Sequence, residues 1–259
     1  MQATCELPFT LFYYYHGHVA FASDSFCKFW ITLNFSLNVA ASHLNAYLSI
    51  ERYLLIFHHV LLFQHKIILH YAPMCTLIIF GFAYSFSLVV FYPCTNQFDY
   101  TIETCGGACY ESEPFWGILD WVVTAVGPLC VIIVSNMILV GRVFIQRRKM
   151  MRANVWRHNL ALLIQLLLIT TLHCAAWLPV CIVSLISQAE VSSSQVIQEL
   201  QNNWILVSPI YLSIIGCPIV CIFALPELKD KFRLTIVYQW RHYMNHRINP
   251  TRTSIMFHT

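Results

Sequence analysis

The sequence predicts an all-α, multi-pass transmembrane helical bundle, and its composition and charge spacing are the observations that predict it. Of 259 residues, 58% are hydrophobic and only 10% are charged, whereas soluble globular chains contain about 25% charged residues. The charges are clustered, which leaves five uncharged windows at residues 29–50, 67–98, 121–141, 158–189 and 200–226. Each window is long enough to cross a bilayer, because about 20 apolar helical residues span its hydrocarbon core. This pattern excludes a disordered chain, a disulfide-stapled secreted domain and a cytosolic enzyme.

The predicted bundle occupies residues 1–225, and residues 226–259 form an interfacial helix and a cytoplasmic tail. Residues 1–15 are apolar and aromatic without a basic leader, so we interpret them as the outer part of a truncated span rather than as a signal peptide. After Pro226, apolar residues recur at helical spacing, which favours a short amphipathic helix over an unstructured basic tail. Five complete spans are expected at about residues 25–53, 67–92, 115–146, 154–188 and 200–225.

The basic residues predict the orientation of these spans, because Lys and Arg are retained on the cytoplasmic side of a membrane. Fourteen of the 15 lie in the first connection, the third connection or the tail, and only Lys28 lies on the other side. The second connection, at about residues 93–120, carries five acidic residues and no basic residue. We therefore expect a multi-pass plasma-membrane protein, and basic loops beside a membrane do not favour nucleic-acid binding.

Four of the eleven cysteines, Cys27, Cys94, Cys105 and Cys109, fall at the predicted outer face. That face is oxidised during secretory-pathway folding, so disulfides are expected there. Four cysteines allow three pairings, and their spacing does not choose among them. Zinc binding by Cys105 and Cys109 is the alternative, but no second ligand pair lies nearby. No metal or cofactor is therefore expected.

The first complete span carries three amides, Asn34, Asn38 and Asn45, at helical spacing on the face that ends in Arg52. Amides inside a membrane need hydrogen-bond partners, so this face is expected to point into the bundle. Each amide can alternatively serve only to hold helices together.

Glu51, Arg52 and Tyr53 close that span, and the tripeptide resembles the acidic-Arg-Tyr motif of rhodopsin-like (class A) G protein-coupled receptors. Cys27 lies 25 positions before Arg52, where that family has the cysteine that binds the second external loop. The resemblance implies Cys109 as its partner, with Cys105 as the alternative.

Further motifs of that family follow in the expected order. Pro128 matches the fifth-helix proline, Trp177-Leu178-Pro179 resembles the sixth-helix Trp-x-Pro element, and Pro218 resembles the seventh-helix proline. The resemblance begins in the second half of helix two, so helix one is expected to be missing from the chain. Asn159 and Cys221 stand where many members have an acidic residue and a tyrosine, and these departures concern the switch rather than the fold.

The resemblance implies a receptor without enzymatic activity, which transmits the binding of an extracellular ligand to a heterotrimeric G protein. Arg52 would contact the G protein, with Glu51 as its local restraint. The remaining switch residues would be Tyr53, Trp177, Pro179 and Pro218. The ligand pocket is expected to contain Asn34, Asn38, Asp120, Trp177, Gln188 and Tyr211.

Asp120 is the one acidic residue expected near this pocket. A carboxylate in a low-dielectric pocket needs a cationic or hydrogen-bonding partner, so we expect it to bind a basic group of a peptide-like ligand, unless it is exposed at the helix mouth. Amine-binding members carry an aspartate where this chain has Asn34, which disfavours a small biogenic amine.

Three alternatives concern partners and function class. Basic residues of the third connection, such as Arg148 and Arg152, would contact either the G protein or anionic lipid headgroups. A transporter or channel subunit is a second functional class, although no repeat between the two halves of the chain is visible. A receptor remnant that does not signal is the third possibility.

Overall fold

A computed structural model describes residues 6–147, 153–189, 205, 208–214 and 216 of the chain. Within these residues the secondary structure is helical, which confirms the predicted all-α class. The first three helices are α1 (Leu7–His16), α2 (Asp24–Phe57) and the short α3 (His59–Gln64). Helix α4 (Ala72–Phe86) is flanked by π-turns at Ile67–Tyr71 and Ser87–Phe91. Helix α5 has two parts, Pro114–Trp121 and Gly127–Arg147, which a π-turn at Val122–Val126 joins, and α6 spans Ala153–Ala189.

Three helical stretches in the described part of the chain are long and apolar enough to cross a membrane, namely Ile67–Phe91, Pro114–Ile145 and Leu167–Gln188. Helix α2 contains 34 residues, which corresponds to about 50 Å at the α-helical rise. The expected span at 200–225 lies mostly outside the described residues, and the tail at 226–259 lies entirely outside them. The division at residue 225 stays a prediction.

Local sequence signals explain where the first helices begin and end. The Ser23 side chain caps α2 by accepting a hydrogen bond from the Phe26 N–H at 3.3 Å. Helix α1 has a proline in its first turn and ends at Gly17, whose φ of 74° is left-handed. Glycine adopts this conformation without a steric penalty, so it suits the residue that stops a helix.

Proline shapes α5, as the sequence predicts for Pro128. The π-turn at Val122–Val126 stands directly before Gly127 and Pro128. Proline lacks an N–H and its ring crowds the carbonyl four residues earlier, so the helix widens before its regular hydrogen bonding resumes. Helix α4 shows the same arrangement, with a π-turn at Ile67–Tyr71 before Pro73.

Helix α2 is the centre of the bundle and packs against α4, α5 and α6. Helix α4 approaches α2 closely at Gly81. A Cβ atom at this glycine would lie 3.0 Å from the backbone nitrogen of Ala40 and 3.1 Å from the carbonyl oxygen of Ser36. The absence of a side chain at Gly81 therefore sets the distance between the two helices.

Two disulfides fix the path of the outer loop between α4 and α5. Cys27 of α2 binds Cys105, with Cα atoms 5.8 Å apart, and Cys94 binds Cys109, with Cα atoms 6.1 Å apart. The predicted pairing of Cys27 with Cys109 is therefore wrong, because Cys27 is bonded to the alternative partner, Cys105. Since Cys105 and Cys109 are both in disulfides, neither supplies a thiolate for zinc.

Backbone geometry explains why the two loop cysteines separate. Gly106 and Gly107, which lie between the two cysteines, have φ values of 83° and 87°. These left-handed conformations turn the chain. The Cys109 N–H then donates to Oδ1 of Asn96 at 2.9 Å, so Cys109 is held near Cys94. Cys27 and Cys105 are instead fully buried in a cluster with Val19 and Trp30.

Replacing Gly81 with valine is expected to destabilise the protein by about 1–3 kcal/mol, because the new side chain would overlap helix backbone that has little room to move. Gly141→Val is the matched control, since nothing lies within 4 Å of a Cβ atom there. Thermal unfolding of the purified protein in nanodiscs measures both variants. Equal unfolding temperatures for the two variants would contradict the close packing.

Removal of the Cys27–Cys105 disulfide is expected to destabilise the protein more than removal of Cys94–Cys109. The first bond closes 78 residues and the second closes 15, and the longer loop is worth about 1.5 kcal/mol more by chain entropy. The paired variants Cys27→Ala/Cys105→Ala and Cys94→Ala/Cys109→Ala are compared by thermal unfolding without reductant. A larger loss from the second pair is the opposing result.

Candidate functional site

A cavity of about 610 Å³ opens among the outer parts of α1, α2, α5 and α6, and loop residues 102–104 and 110–111 contribute to its wall. Sites for small molecules and peptide side chains usually fall between about 300 and 1,000 Å³. The cavity is therefore large enough to be a binding site.

The structure places five of the six predicted pocket residues on the wall of this cavity: Asn34, Asn38, Asp120, Trp177 and Tyr211. The sixth, Gln188, is not among the lining residues. Its Nε2 donates to the backbone carbonyl of Glu111 at 2.9 Å, so it fastens the outer loop to the end of α6. The placement of Gln188 in the pocket is corrected accordingly.

The amide side chains of α2 are hydrogen-bonded to a buried carboxylate, that of Glu6, which directly precedes α1. Asn38 donates to Asn34 at 2.8 Å, and Nδ2 of Asn34 donates to Oε1 of Glu6 at 2.7 Å. Glu6 lines the cavity and is 3% exposed. Among the described residues its second oxygen, Oε2, has no hydrogen-bond partner.

A second carboxylate, Glu103, lies on the same side of the cavity. Its two oxygens accept hydrogen bonds from the hydroxyl groups of Tyr14, at 2.8 Å, and Tyr211, at 2.9 Å. Glu103 also interacts electrostatically with Glu6. The Cys27–Cys105 disulfide lies two residues away, so it fixes the position of Glu103 beside α2.

Asp120 and Glu111 form the other acidic part of the wall. The Asp120 carboxylate interacts with the hydroxyl groups of Tyr84 and Tyr110. Asp120 is half-buried and lines the cavity, so it is not at an exposed helix mouth. Among the described residues, four carboxylates line the cavity, and the expectation that Asp120 is the single acid near the pocket is wrong.

Local geometry brings Glu111 into this wall. A Cβ atom at Gly107 would lie 2.5 Å from Oε2 of Glu111, so a larger residue at Gly107 would displace this carboxylate from its present position. Burial, together with the nearby Asp120, raises the pKa of Glu111 to about 7. This carboxyl group therefore titrates close to neutral pH.

Sequence reasoning missed Glu6, Glu103 and Glu111. Glu6 carried a usable signal, because an acidic residue inside an apolar segment is a functional-site candidate by default. The two loop residues carried no periodic signal, since the path of the loop depends on the disulfide pairing.

Halfway along the bundle, the amide face of α2 contacts α6, as predicted for a face that points inward. Asn45 lies 3.4 Å from Nδ1 of His173, which is 9% exposed. The ring of His173 lies 6.1 Å from that of Trp177, a residue of the cavity wall. This polar pair connects the floor of the cavity to the inner half of α2.

At the inner end of α2, Glu51 binds a different partner from the one expected. Its Oε1 lies 2.5 Å from Nδ1 of His70 in the π-turn that precedes α4. No ion pair joins Glu51 to Arg52, so the expectation that Glu51 restrains this arginine is wrong. Arg52 has no ion pair with any residue that the structure describes.

Among the other predicted switch residues, the structure describes Tyr53, Trp177 and Pro179. The ring of Tyr53 packs against that of Phe57, with centroids 4.9 Å apart, and Pro179 lies inside α6. Trp177 lines the cavity and packs against the buried cluster that contains Cys181. Pro218 and the side chain of Asn159 lie outside the described residues, and the roles of all these residues stay predictions.

Comparison with known proteins identifies the family. The chain matches the family described as 7 transmembrane receptor (rhodopsin family) over residues 1–251. No individual curated protein matches it significantly. The match covers nearly the whole sequence and agrees with the helical fold and with the apolar helices that are long enough to span a membrane. This multi-pass plasma-membrane protein therefore belongs to the rhodopsin family of seven-transmembrane receptors.

Proposed function

We propose that the cavity binds a basic group of an extracellular, peptide-like ligand and that Arg52 couples this binding to a heterotrimeric G protein. One observation carries the proposal. The cavity presents four carboxylates, and none of the lining residues that the structure describes is Lys, Arg or His. Carboxylates in a low-dielectric cavity are stabilised by a cation, and a ligand can supply it.

The continuity of α2 supports coupling between the cavity and the inner face. Asn34 and Arg52 are 18 positions apart on this helix, which places them about 27 Å apart along its axis. The Asn45–His173 contact joins α2 to α6 between these two points. A ligand that shifts α2 relative to α6 would therefore change the environment of Arg52, and such a shift needs different ligand affinities in the two arrangements.

The position of Asn34 bears on the chemical class of the ligand. Its amide is hydrogen-bonded to Glu6 and to Asn38, so the negative charge on this side of the cavity belongs to Glu6 rather than to α2. The acidic wall also extends to loop residues Glu103 and Glu111. A ligand that contacts both the helices and the loop must be larger than a small amine, which favours a peptide.

Arg52→Ala is expected to abolish receptor-stimulated guanine-nucleotide exchange, because it removes the guanidinium group that would bind backbone carbonyls of the inserted G protein helix. Arg52→Lys is expected to recover little activity, since an ammonium group lacks the planar set of donors. Exchange is measured in membranes that contain the receptor and purified G protein.

Lys28→Ala is the matched control, because Lys28 is an exposed basic residue on the outer end of the same helix. It should leave exchange unchanged. Exchange that persists in Arg52→Ala, or exchange that is absent from the unmodified chain, would contradict the proposed coupling, and the second outcome would favour a receptor remnant.

His70→Ala is expected to lower basal nucleotide exchange. Glu51 is 7% exposed, and a buried carboxylate that loses its partner is strongly driven to find another cation. The nearest candidate in sequence is Arg52, which would then be held away from the G protein. The double variant His70→Ala/Glu51→Gln should recover exchange, because it removes the carboxylate, and unchanged exchange in His70→Ala would refute this competition.

A further inference from the structure

The four carboxylates of the cavity form two pairs on different elements. Glu6, which directly precedes α1, and Glu103 of the outer loop interact with each other. Glu111 and Asp120 also interact with each other, at the junction of the outer loop and α5. Tyr14 and Tyr211 donate hydrogen bonds to Glu103 in the first pair, and the hydroxyl groups of Tyr84 and Tyr110 interact with Asp120 in the second.

The first pair lacks a complete set of partners. Glu103 accepts a hydrogen bond on each oxygen, but Glu6 accepts only one, from Asn34. The remaining oxygen of Glu6 is buried and has no partner among the described residues, and Glu6 itself is a residue of the cavity wall. A buried polar atom without a partner is destabilising, so a donor from a ligand that reached it would be stabilising.

The second pair also has no positively charged partner among the described residues of the cavity wall. Two carboxylates close together repel each other when both are ionised, and the hydroxyl groups of Tyr84 and Tyr110 are neutral donors that leave the negative charge uncompensated. A cation placed between Glu111 and Asp120 would remove this repulsion. A single ligand can place a cation at both pairs when it carries two positive groups.

A metal ion does not account for this arrangement as well as an organic cation does. In the described part of the chain, no group of three or more His, Cys, Asp or Glu residues is arranged to hold a metal ion. Each pair offers two carboxylates with hydroxyl groups beside them. Ammonium and guanidinium groups match such sets of acceptors.

We propose that the cavity accepts a dicationic ligand, such as a peptide with two basic groups, with one cation at Glu6 and Glu103 and the other at Glu111 and Asp120. This inference rests on the proposed function, because it specifies the ligand of the same cavity. It goes further in requiring two positive groups rather than one.

Binding of simple dications to the purified full-length chain in nanodiscs tests this inference. The probes are α,ω-diaminoalkanes of increasing length, each compared with the n-alkylamine of equal chain length, and Ca²⁺ alone. Ligand-induced increases in unfolding temperature report binding. The best diamine is expected to bind with a dissociation constant about tenfold or more below that of its monoamine.

Two variants assign the ends of the ligand. Glu6→Gln and Asp120→Asn should each reduce the best diamine to the affinity of the monoamine, because each removes one charged contact and preserves side-chain shape. Glu113→Gln is the matched control, since Glu113 is an exposed loop residue outside the cavity wall. It should leave the preference for the diamine unchanged.

Three outcomes would overturn the inference: equal binding of diamines and monoamines, no stabilisation by any diamine, or stabilisation by Ca²⁺ in place of the diamines. A preference for diamines that persists in both variants would also overturn it. This readout requires no G protein, so the inference can fail while the effect of Arg52→Ala holds, and the reverse is equally distinguishable.

Discussion

The disulfide between Cys27 and Cys105 is the constraint on which the outer cavity depends. It anchors the loop to the outer end of α2 in a buried cluster that contains Val19 and Trp30. That anchor places Glu103 beside Tyr14 and Tyr211, and the following glycines turn the chain so that Glu111 approaches Asp120. With Cys109 bound to Cys27 instead, the loop would follow another path and the acidic wall would differ.

The electrostatic character of the cavity follows from this loop path. Glu6, which directly precedes α1, and Asp120 of α5 contribute one carboxylate each, and the loop contributes two. Tyrosine hydroxyls and asparagine amides solvate these groups in place of water, but neutral donors do not balance their charge. The cavity therefore has a fixed preference for cations, while helix α2 extends from this cavity to Arg52 without interruption.

The sequence predicted what depends on periodicity and on the cost of charge in a membrane. The helical class, the kink at Pro128 and the inward amide face of α2 all follow from such local rules. The path of the outer loop and the choice of a partner by Glu51 do not follow from local rules. Cys105 and Cys109 are only four residues apart, so spacing could not assign the partner of Cys27. The capture of Glu51 by His70 depends on how α4 packs against α2, which no local pattern encodes.

The central claim is that occupation of the acidic cavity and engagement of Arg52 are coupled through the bundle. Thermodynamic linkage makes this coupling measurable from either end. The most direct measurement is the dissociation constant of the tightest-binding diamine in nanodiscs, with and without nucleotide-free G protein. The account predicts that the G protein lowers this constant by about fivefold or more and that Arg52→Ala removes the effect. An unchanged dissociation constant in the presence of the G protein would contradict it.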